Sequence, residues 1–330
     1  MPVLDAAVPI VLGQLQLAGP WTFAALGAAG GFSGARLWRV AAADGELCLK
    51  AWPEHIDRGW LQRVHGWMSV AQSRGLPFVP RVWQNRAGES CIAHAGRVWD
   101  LVEWLPGKSE QRPSTQQLES ACTALARLHL VWEQCEPGCE VPESVRRRLH
   151  IANEWQAIVQ RGWQPDWGAC PLPAAPPLQR IWTRLPALLP RIPELLMPWT
   201  KQRITVFPCL CDVWNEHVLF AAEAVAGIID YGSMRIDTPA ADLARLLGSY
   251  ENDAESLWRV GVTAYRRTRE LSQDEEWLAR VLDETGIVLS AASWLDWLIR
   301  KPRPFDDCHA VAKRTQALAK RMESRRTRRP

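Results

Sequence analysis

Apolar and polar residues alternate along two neighbouring segments near the N-terminus. These segments, ARLWRVAA (35–42) and GELCLKAW (45–52), have the period of two residues that is typical of strands. Asp44-Gly45 between them predicts a tight hairpin turn, because both residues tolerate positive φ. A third predicted strand, RVWDLVEWL (97–105), ends before Pro106-Gly107. We therefore expect the N-terminal third of the chain to consist mostly of strands.

A helical period appears in other parts of the chain. From Asp57 to Arg74, apolar side chains recur every three or four residues, which predicts one helix. Ser114 and Gln117 form a capping-box pattern ahead of a second helical run. The rest of the chain is predicted to be mainly helical, apart from a proline-dense interruption at 164–199 and a strand pair within 204–231.

These elements predict an α+β fold with two lobes. Residues 1–105 would form a small β-rich N-terminal lobe with one helix. Residues 106–330 would form a larger, mainly helical C-terminal lobe. The change from period two to period 3.6 after Pro106-Gly107 is the reason for placing the boundary there.

Composition excludes several classes of protein. No apolar run reaches the roughly 18 residues that a membrane-spanning helix needs. Nine cysteines are scattered along the chain, a pattern more typical of reduced thiols in the cytoplasm than of a disulfide framework. The net charge is +3, yet residues 313–330 contain eight Lys or Arg and one Glu. We expect this basic tail to be a solvated helix end, and we expect no nucleic-acid partner.

A glycine-rich segment is the first candidate for phosphate chemistry. GAAGGFSGA, residues 27–35, precedes the predicted hairpin and contains Gly30, Gly31, Ser33 and Gly34. Glycines allow backbone N–H groups to approach phosphate oxygens closely. The segment matches neither the GxGxxG nor the Walker A spacing, so a simple glycine-rich turn is an equal alternative.

Lys50 is the second candidate. Alternation in LCLKAW places Cys48, Lys50 and Trp52 on one face of a predicted strand. A lysine at this position can contact the phosphates below a glycine-rich lid, as in the V-A-I-K strand of kinases. A surface lysine on an edge strand is the alternative interpretation.

The segment CLCDVWNEHVLF, residues 209–220, carries the most specific signal. Asp212 and His217 have the spacing of the kinase pattern D-x-x-x-x-N, with histidine in place of asparagine. Asp230-Tyr231-Gly232 resembles the D-F-G element. Two apolar runs between these motifs predict a hairpin that would hold His217 and Asp230, the two metal-ligand positions of this pattern, in one cleft. An ordinary hairpin with a capping aspartate is the alternative.

In this order along the chain, the motifs resemble those of the aminoglycoside phosphotransferase and choline-kinase-like family, which has a protein-kinase-like fold. The resemblance extends over nearly the whole chain, from the lid to PAADLARLLG, residues 239–248. It implies an ATP-dependent kinase that acts on a small hydroxylated or amino-bearing metabolite or antibiotic. The implied cofactors are ATP and Mg²⁺, or Mn²⁺, and the implied partners are a nucleotide and a small-molecule acceptor. The resemblance also implies that the lobe of residues 1–105 binds the nucleotide and that the lobe of residues 106–330 carries out catalysis and binds the substrate.

The resemblance also assigns roles by position. Asp212 matches the catalytic base, and His217 and Asp230 match the metal ligands. The nucleotide-binding positions are Lys50, Gly30, Gly31, Ser33, Gly34, Glu103 and Trp104. His217 has two other interpretations: it holds the catalytic loop through Asp212, or it points away from the cleft.

Three departures from the family pattern keep a second function open. Leu210-Cys211 stands where the family has His-Gly, and His217 replaces asparagine. No glutamate occurs between residues 55 and 88, so only Gln62 or His65 remains to orient Lys50. The alternative is a pseudokinase that serves as an interaction module. A protein kinase is the third class, and the missing A-P-E element disfavours it.

Overall fold

The computed structural model describes residues 2–17, 19–27, 31–43, 45–170, 173–250 and 255–324. The chain forms two compact units. Unit 1 consists of Met1–Pro137, Phe207–Arg235 and Arg245–Leu271, and unit 2 consists of Gly138–Val206, Ile236–Ala244 and Ser272–Pro330. All the predicted site residues lie in unit 1. Residues 325–330 of the basic tail lie outside the described residues.

A five-stranded antiparallel sheet forms the first part of unit 1. Its strands are β1 (Thr22–Gly27), β2 (Arg36–Ala42), β3 (Gly45–Ala51), β4 (Ile92–His94) and β5 (Arg97–Glu103), in the order β1-β2-β3-β5-β4. The register places Lys50 between Leu37 of β2 and Asp100 of β5. The strands predicted around residues 35–52 and 97–105 are therefore confirmed. Asp44 of the predicted turn lies outside the described residues.

Helix α1 (Pro2–Gln14) is the first departure from the predicted elements, because mostly strands were expected here. Its side chains Val8, Val11 and Leu12 are buried in one hydrophobic cluster with Trp38 and other residues of the sheet. The segment shows no clear helical period and contains a proline. Burial of apolar surface against the sheet stabilises this helix where local propensity does not.

Helices α2 (Arg58–Ser73) and α3 (Thr115–Cys135) begin where the sequence predicts. Asp57 caps α2 by accepting a hydrogen bond from the backbone N–H of Trp60. Ser114 and Gln117 form the complete capping box of α3. In each case a side-chain oxygen satisfies an N–H group that the first helical turn leaves unpaired, so these starts are encoded locally.

A small sheet and two further helices complete unit 1. The sheet consists of β6 (Lys108–Ser109), β9 (Val218–Ala221) and β10 (Ala224–Ile228), in the order β10-β9-β6. The predicted hairpin is thus confirmed, since β9 pairs antiparallel with β10. Helix α7 (Pro239–Leu247) enters unit 1 at Arg245, and α8 (Glu255–Arg266) packs against α3.

Unit 2 is mainly helical. Its helices are α4 (Glu143–Gln160), α5 (Ala175–Leu188), α6 (Arg191–Leu196), α9 (Gln273–Leu295) and α10 (Cys308–Ser324). Its small sheet consists of β7 (Gly138–Glu140), β8 (Ile204–Cys209) and β11 (Arg235–Asp237), and β8 continues into unit 1. The expected interruption at 164–199 is wrong in part, because α5 and α6 lie within it. Prolines are tolerated in the first helical turn, where α5 carries two of them.

The fold class is α+β, as predicted. Helices and strands both contribute to unit 1, whereas unit 2 is mainly helical with one small sheet. Within the described residues, no helix is long and apolar enough to cross a membrane. The division into lobes at residues 105 and 106 stays a prediction.

Candidate active site

The β9–β10 hairpin brings three predicted site residues together. Asp212 follows strand β8, and His217 ends a short 3₁₀ turn, Asn215–His217, immediately before β9. Asp230 follows the end of β10. Because Val218 pairs with Ile228, the residues that flank the two strands also become neighbours. The backbone N–H of Ile229 accordingly donates to the carbonyl of His217 at 2.9 Å.

Lys50 and Asp230 form an ion pair. Lys50 Nζ donates to Asp230 Oδ1 at 2.9 Å. The Lys50 ammonium lowers the pKa of the Asp230 carboxyl from 3.8 to about 2. Burial alone would lower the pKa of Lys50, but the attraction of the neighbouring acidic groups, chiefly Asp230 and then Asp100, together outweighs burial and the pKa is raised. Both groups are therefore charged at neutral pH.

Hydrogen bonds involve both ring nitrogens of His217. The indole N–H of Trp214 donates to His217 Nε2 at 2.8 Å, and His217 Nδ1 lies 2.9 Å from the backbone carbonyl of Asp212. A carbonyl only accepts, so the proton of the neutral ring is on Nδ1. Burial lowers the pKa of His217, which keeps the ring neutral at pH 7.

His217 supports the segment that carries Asp212 and also lies near Asp230. Its Nε2 atom is 3.8 Å from Asp230 Oδ2. Ligation of a cation through Nε2 requires that the Trp214 N–H gives up its bond to this lone pair. Ligation by His217 stays a prediction. The hydrogen bond from His217 Nδ1 to the Asp212 carbonyl fits the other interpretation, in which His217 holds the loop that carries Asp212.

Asp212 forms an ion pair with an arginine that no sequence motif predicted. Arg245 Nε donates to Asp212 Oδ1 at 2.8 Å, and the guanidinium lies over the Trp214 ring, 5.6 Å from its centroid. Asp212 remains accessible to solvent, with 42% of its side chain exposed. Its second carboxylate oxygen, Oδ2, has no protein partner among the described residues. This oxygen can therefore accept a proton from a ligand.

The carboxylate of Asp230 suits a hard divalent cation. Asp230 retains 45% exposure of its side chain despite the bond to Lys50. Carboxylate oxygens are the ligands that Mg²⁺ prefers. The backbone of Asp230 has φ +62°, a left-handed conformation in which aspartate is more frequent than most residues. Asp230 could hold such a cation, and metal binding by Asp230 stays a prediction.

The predicted lid is described only in part. Gly30 lies outside the described residues, whereas Gly31, Ser33 and Gly34 are exposed in the connection between β1 and β2. The Ser33 hydroxyl accepts from the backbone N–H of Ala35 at 3.4 Å, and Gly34 has φ +81°. This connection ends at the same end of the sheet as Lys50, since Leu37 pairs with Lys50. Phosphate binding by the lid stays a prediction.

The predicted hinge residues already use their backbone N–H groups. Glu103 N–H donates to the Arg81 carbonyl at 2.9 Å, and Trp104 N–H donates to the Glu46 carbonyl at 2.9 Å. Adenine would have to replace one of these bonds to pair with either amide. Adenine contact at Glu103 and Trp104 stays a prediction.

Neither residue considered as a substitute for the helix glutamate bonds to Lys50. Gln62 is exposed on α2, and His65 is buried and bonded to Asp100 and Ser90. Instead, the Lys50 ammonium lies 3.7 Å from the centroid of the Trp52 ring. Strand alternation placed Trp52 on the face of Lys50, but its role could not be predicted without the register of β5.

Cys211 adopts a conformation that favours glycine. Its φ is +62°, directly before Asp212. A left-handed residue other than glycine costs about 1–2 kcal/mol, and glycine loses about 0.5–1 kcal/mol of chain freedom on folding. We therefore expect Cys211→Gly to raise the free energy of unfolding by about 0.5–1 kcal/mol, measured by urea denaturation.

Cys211→Val is the matched control, because a β-branched residue strongly resists positive φ. It should lower the free energy of unfolding. Equal destabilisation by both substitutions would show that strain at Cys211 does not limit stability.

Comparison with known sequences identifies relatives of this chain. Residues 25–284 match the model of a family described as phosphotransferase enzymes. A homoserine kinase of Methylobacterium sp. is 25% identical over 260 residues, which cover 77% of this chain and 75% of that protein. A homoserine kinase of Beijerinckia indica is also 25% identical, with the same coverage of both chains.

Solved structures confirm the protein-kinase-like fold. A spectinomycin phosphotransferase in complex with ADP and spectinomycin matches with a TM-score of 0.66 at 12% identity, over 97% of this chain and 98% of that chain. An amicoumacin kinase in complex with AMP-PNP and Ca²⁺ matches with a TM-score of 0.65 at 13% identity, over 97% and 93%. The family match extends from strand β1 into helix α9, well over half of the sequence. The chain therefore belongs to the phosphotransferase enzyme family.

Proposed function

We propose that this protein is an ATP-dependent kinase that phosphorylates a small hydroxylated or amino-bearing molecule in the cytoplasm. The observation that carries the proposal is the Lys50–Asp230 ion pair at the hairpin that also places Asp212. Phosphoryl transfer needs a cationic side chain that binds phosphate, a carboxylate that binds the metal and a carboxylate that accepts the proton of the nucleophile. Their presence in one unit favours a kinase over a pseudokinase.

The proposed reaction uses Asp212 as the base. Its free oxygen accepts a hydrogen bond from the acceptor hydroxyl and takes the proton as the hydroxyl oxygen bonds to the γ-phosphorus. The bond between that phosphorus and the bridging oxygen breaks, and ADP leaves with the electron pair. Lys50 binds phosphate oxygens. Mg²⁺ held by Asp230 would supply positive charge to the phosphates.

Arg245 bears on the chemistry of the acceptor. Its Nε atom bonds to Asp212, while its two Nη groups have no protein partner among the described residues. Asp212 compensates the charge of Arg245, but the N–H donors of its Nη groups can bind a carboxylate on the acceptor and cannot bind an ammonium group. We therefore propose an acceptor that carries a carboxylate near its hydroxyl, a class that includes homoserine, the substrate named for the relatives.

The experiment that tests the function is transfer from γ-labelled ATP to a panel of acceptors. One arm contains hydroxy amino acids with their uncharged amides, and the other contains spectinomycin and polycationic aminoglycosides. We expect transfer to the acids in preference to the amides. Transfer to no acceptor, with or without nucleotide binding, would favour the interaction-module alternative.

Metal preference tests the proposed ligand His217. If Nε2 ligates, His217→Asn should favour Mg²⁺ over Mn²⁺ by about 10-fold or more relative to wild type, because an amide oxygen is a harder ligand. Trp214→Phe frees the Nε2 lone pair and should shift the preference towards Mn²⁺. The measurement is the ratio of kcat/KM with the two metals. An unchanged ratio in both variants would leave His217 as a support of the Asp212 loop.

A further inference from the structure

Lys50 lacks the usual partner of a kinase lysine. Helix α2 contains no glutamate, and the only carboxylate bonded to Lys50 among the described residues is Asp230. If Asp230 holds a metal, its negative charge is shared between the cation and Lys50. Another interaction is then needed to hold the Lys50 ammonium in place.

The ring of Trp52 is in direct contact with Lys50. The Nζ atom lies 3.7 Å from the ring centroid, within the range of a cation–π interaction. Trp52 is 7% exposed, so the interaction is largely shielded from water. The face of the Trp52 ring therefore contacts the Lys50 ammonium and can fix its position.

A buried carboxylate fixes the edge of this ring. Trp52 Nε1 donates to Asp100 Oδ2 at 2.9 Å, and Asp100 is 3% exposed. Asp100 lies directly opposite Lys50 in the pairing of β3 with β5. A charged acceptor polarises the indole N–H, which strengthens the attraction between the ring and a cation.

Helix α2 contributes through a histidine. His65 Nε2 donates to the same oxygen of Asp100 at 3.0 Å, and the Ser90 hydroxyl lies 2.9 Å from His65 Nδ1. His65 and Ser90 are also buried. Because a buried carboxylate is stable only with hydrogen-bond donors around it, His65 and Trp52 together hold Asp100 in place.

The segment that carries Asp230 is shaped around the same ring. A Cβ atom on Gly232 would lie 2.3 Å from Trp52 Cη2, so no side chain fits at this position. Trp52 thus contacts Lys50 and also lies against Gly232, in the segment that carries Asp230. It therefore contacts the surroundings of both members of the ion pair. Movement of the ring would disturb Lys50 and the Asp-Tyr-Gly segment together.

We propose that Trp52 is the positioning residue of Lys50, and that the buried His65–Asp100 pair on its indole replaces the missing helix glutamate. The proposal rests on the proposed nucleotide-binding function of Lys50. It explains how a chain without the helix glutamate keeps its lysine placed for phosphate.

Calorimetric titration of the full chain with MgADP and with adenosine tests this proposal. Trp52→Leu removes the aromatic face and should weaken MgADP binding about 2- to 30-fold. Adenosine affinity should stay unchanged, because adenosine has no phosphate for Lys50 to bind. Trp52→Phe keeps the face and should retain more of the MgADP affinity, while Gly232→Ala should reproduce the loss by displacing the ring.

Trp38→Phe is the matched control for Trp52→Phe. Trp38 is also buried in this sheet, and its indole N–H donates to Asp5 Oδ1 at 2.8 Å, but no lysine lies over its ring among the described residues. It should leave both affinities unchanged. An equal loss of MgADP and adenosine affinity in the Trp52 variants, or no loss, would overturn the proposal. Wild-type protein that binds neither ligand would instead contradict the proposed function.

Discussion

Replacement of Asp212 by asparagine is expected to lower kcat by about 10²–10⁴-fold, the usual contribution of a general base. The amide oxygen of asparagine can still accept the hydrogen bond from Arg245 Nε, which is 2.8 Å from Asp212 Oδ1 in the native protein. The local structure should therefore survive while proton acceptance is lost. Steady-state kinetics with the best acceptor measures kcat, and calorimetry should give an unchanged MgATP affinity.

Glu119→Gln is the control for a lost carboxylate in the same unit. Glu119 forms an exposed ion pair with Arg267, 3.5 Å away, and takes no part in the proposed site. Its removal should leave kcat unchanged. If wild-type protein transfers phosphate and Asp212→Asn does so at the same rate, Asp212 is not the base.

Replacement of Asp230 by alanine is expected to abolish metal-dependent binding of ATP. Asp230 is the proposed carboxylate ligand of the cation, and without a bound cation only Lys50 and the predicted lid would remain to bind the phosphates. The thermal unfolding midpoint should change by only a few degrees, because partly exposed ion pairs contribute little to stability. Calorimetric titration with ATP in the presence and absence of Mg²⁺ measures the effect. Unchanged MgATP affinity would exclude Asp230 as the ligand.

The low pKa of Asp230 adds a pH dependence with a definite sign. Its folded pKa of about 2 lies below the ordinary value of 3.8. The stabilisation from the ion pair with Lys50 is therefore present above pH 3.8 and is lost as the pH falls through about 2. Asp230→Asn should lose this part of the acid dependence in unfolding experiments between these pH values.

Much of the fold could be predicted because its signals are local. The β2–β3 strands, the capped starts of α2 and α3, and the β9–β10 hairpin each depend on residues close together in sequence. Helix α1 was not predicted because it depends on burial against strands that come later in the sequence. The prolines of α5 were taken as an interruption, although a first helical turn accepts them.

The candidate site, too, was predicted only in part from the sequence. The spacing of Asp212, His217 and Asp230 is short, and the hairpin between them follows from apolar alternation, so the sequence alone predicted their proximity. It also predicted Lys50 on its strand. The family match at residues 25–284 covers all of these positions.

Only the tertiary structure showed what surrounds these residues. The contact of Trp52 with Asp100 depends on the register of β3 with β5, and His65 reaches Asp100 from a separate helix. The bond of Arg245 to Asp212 likewise joins residues that lie on different elements. Local periods determine which face of an element a side chain occupies. They carry no information about which distant element packs against that face, since this depends on burial and pairing across the whole unit.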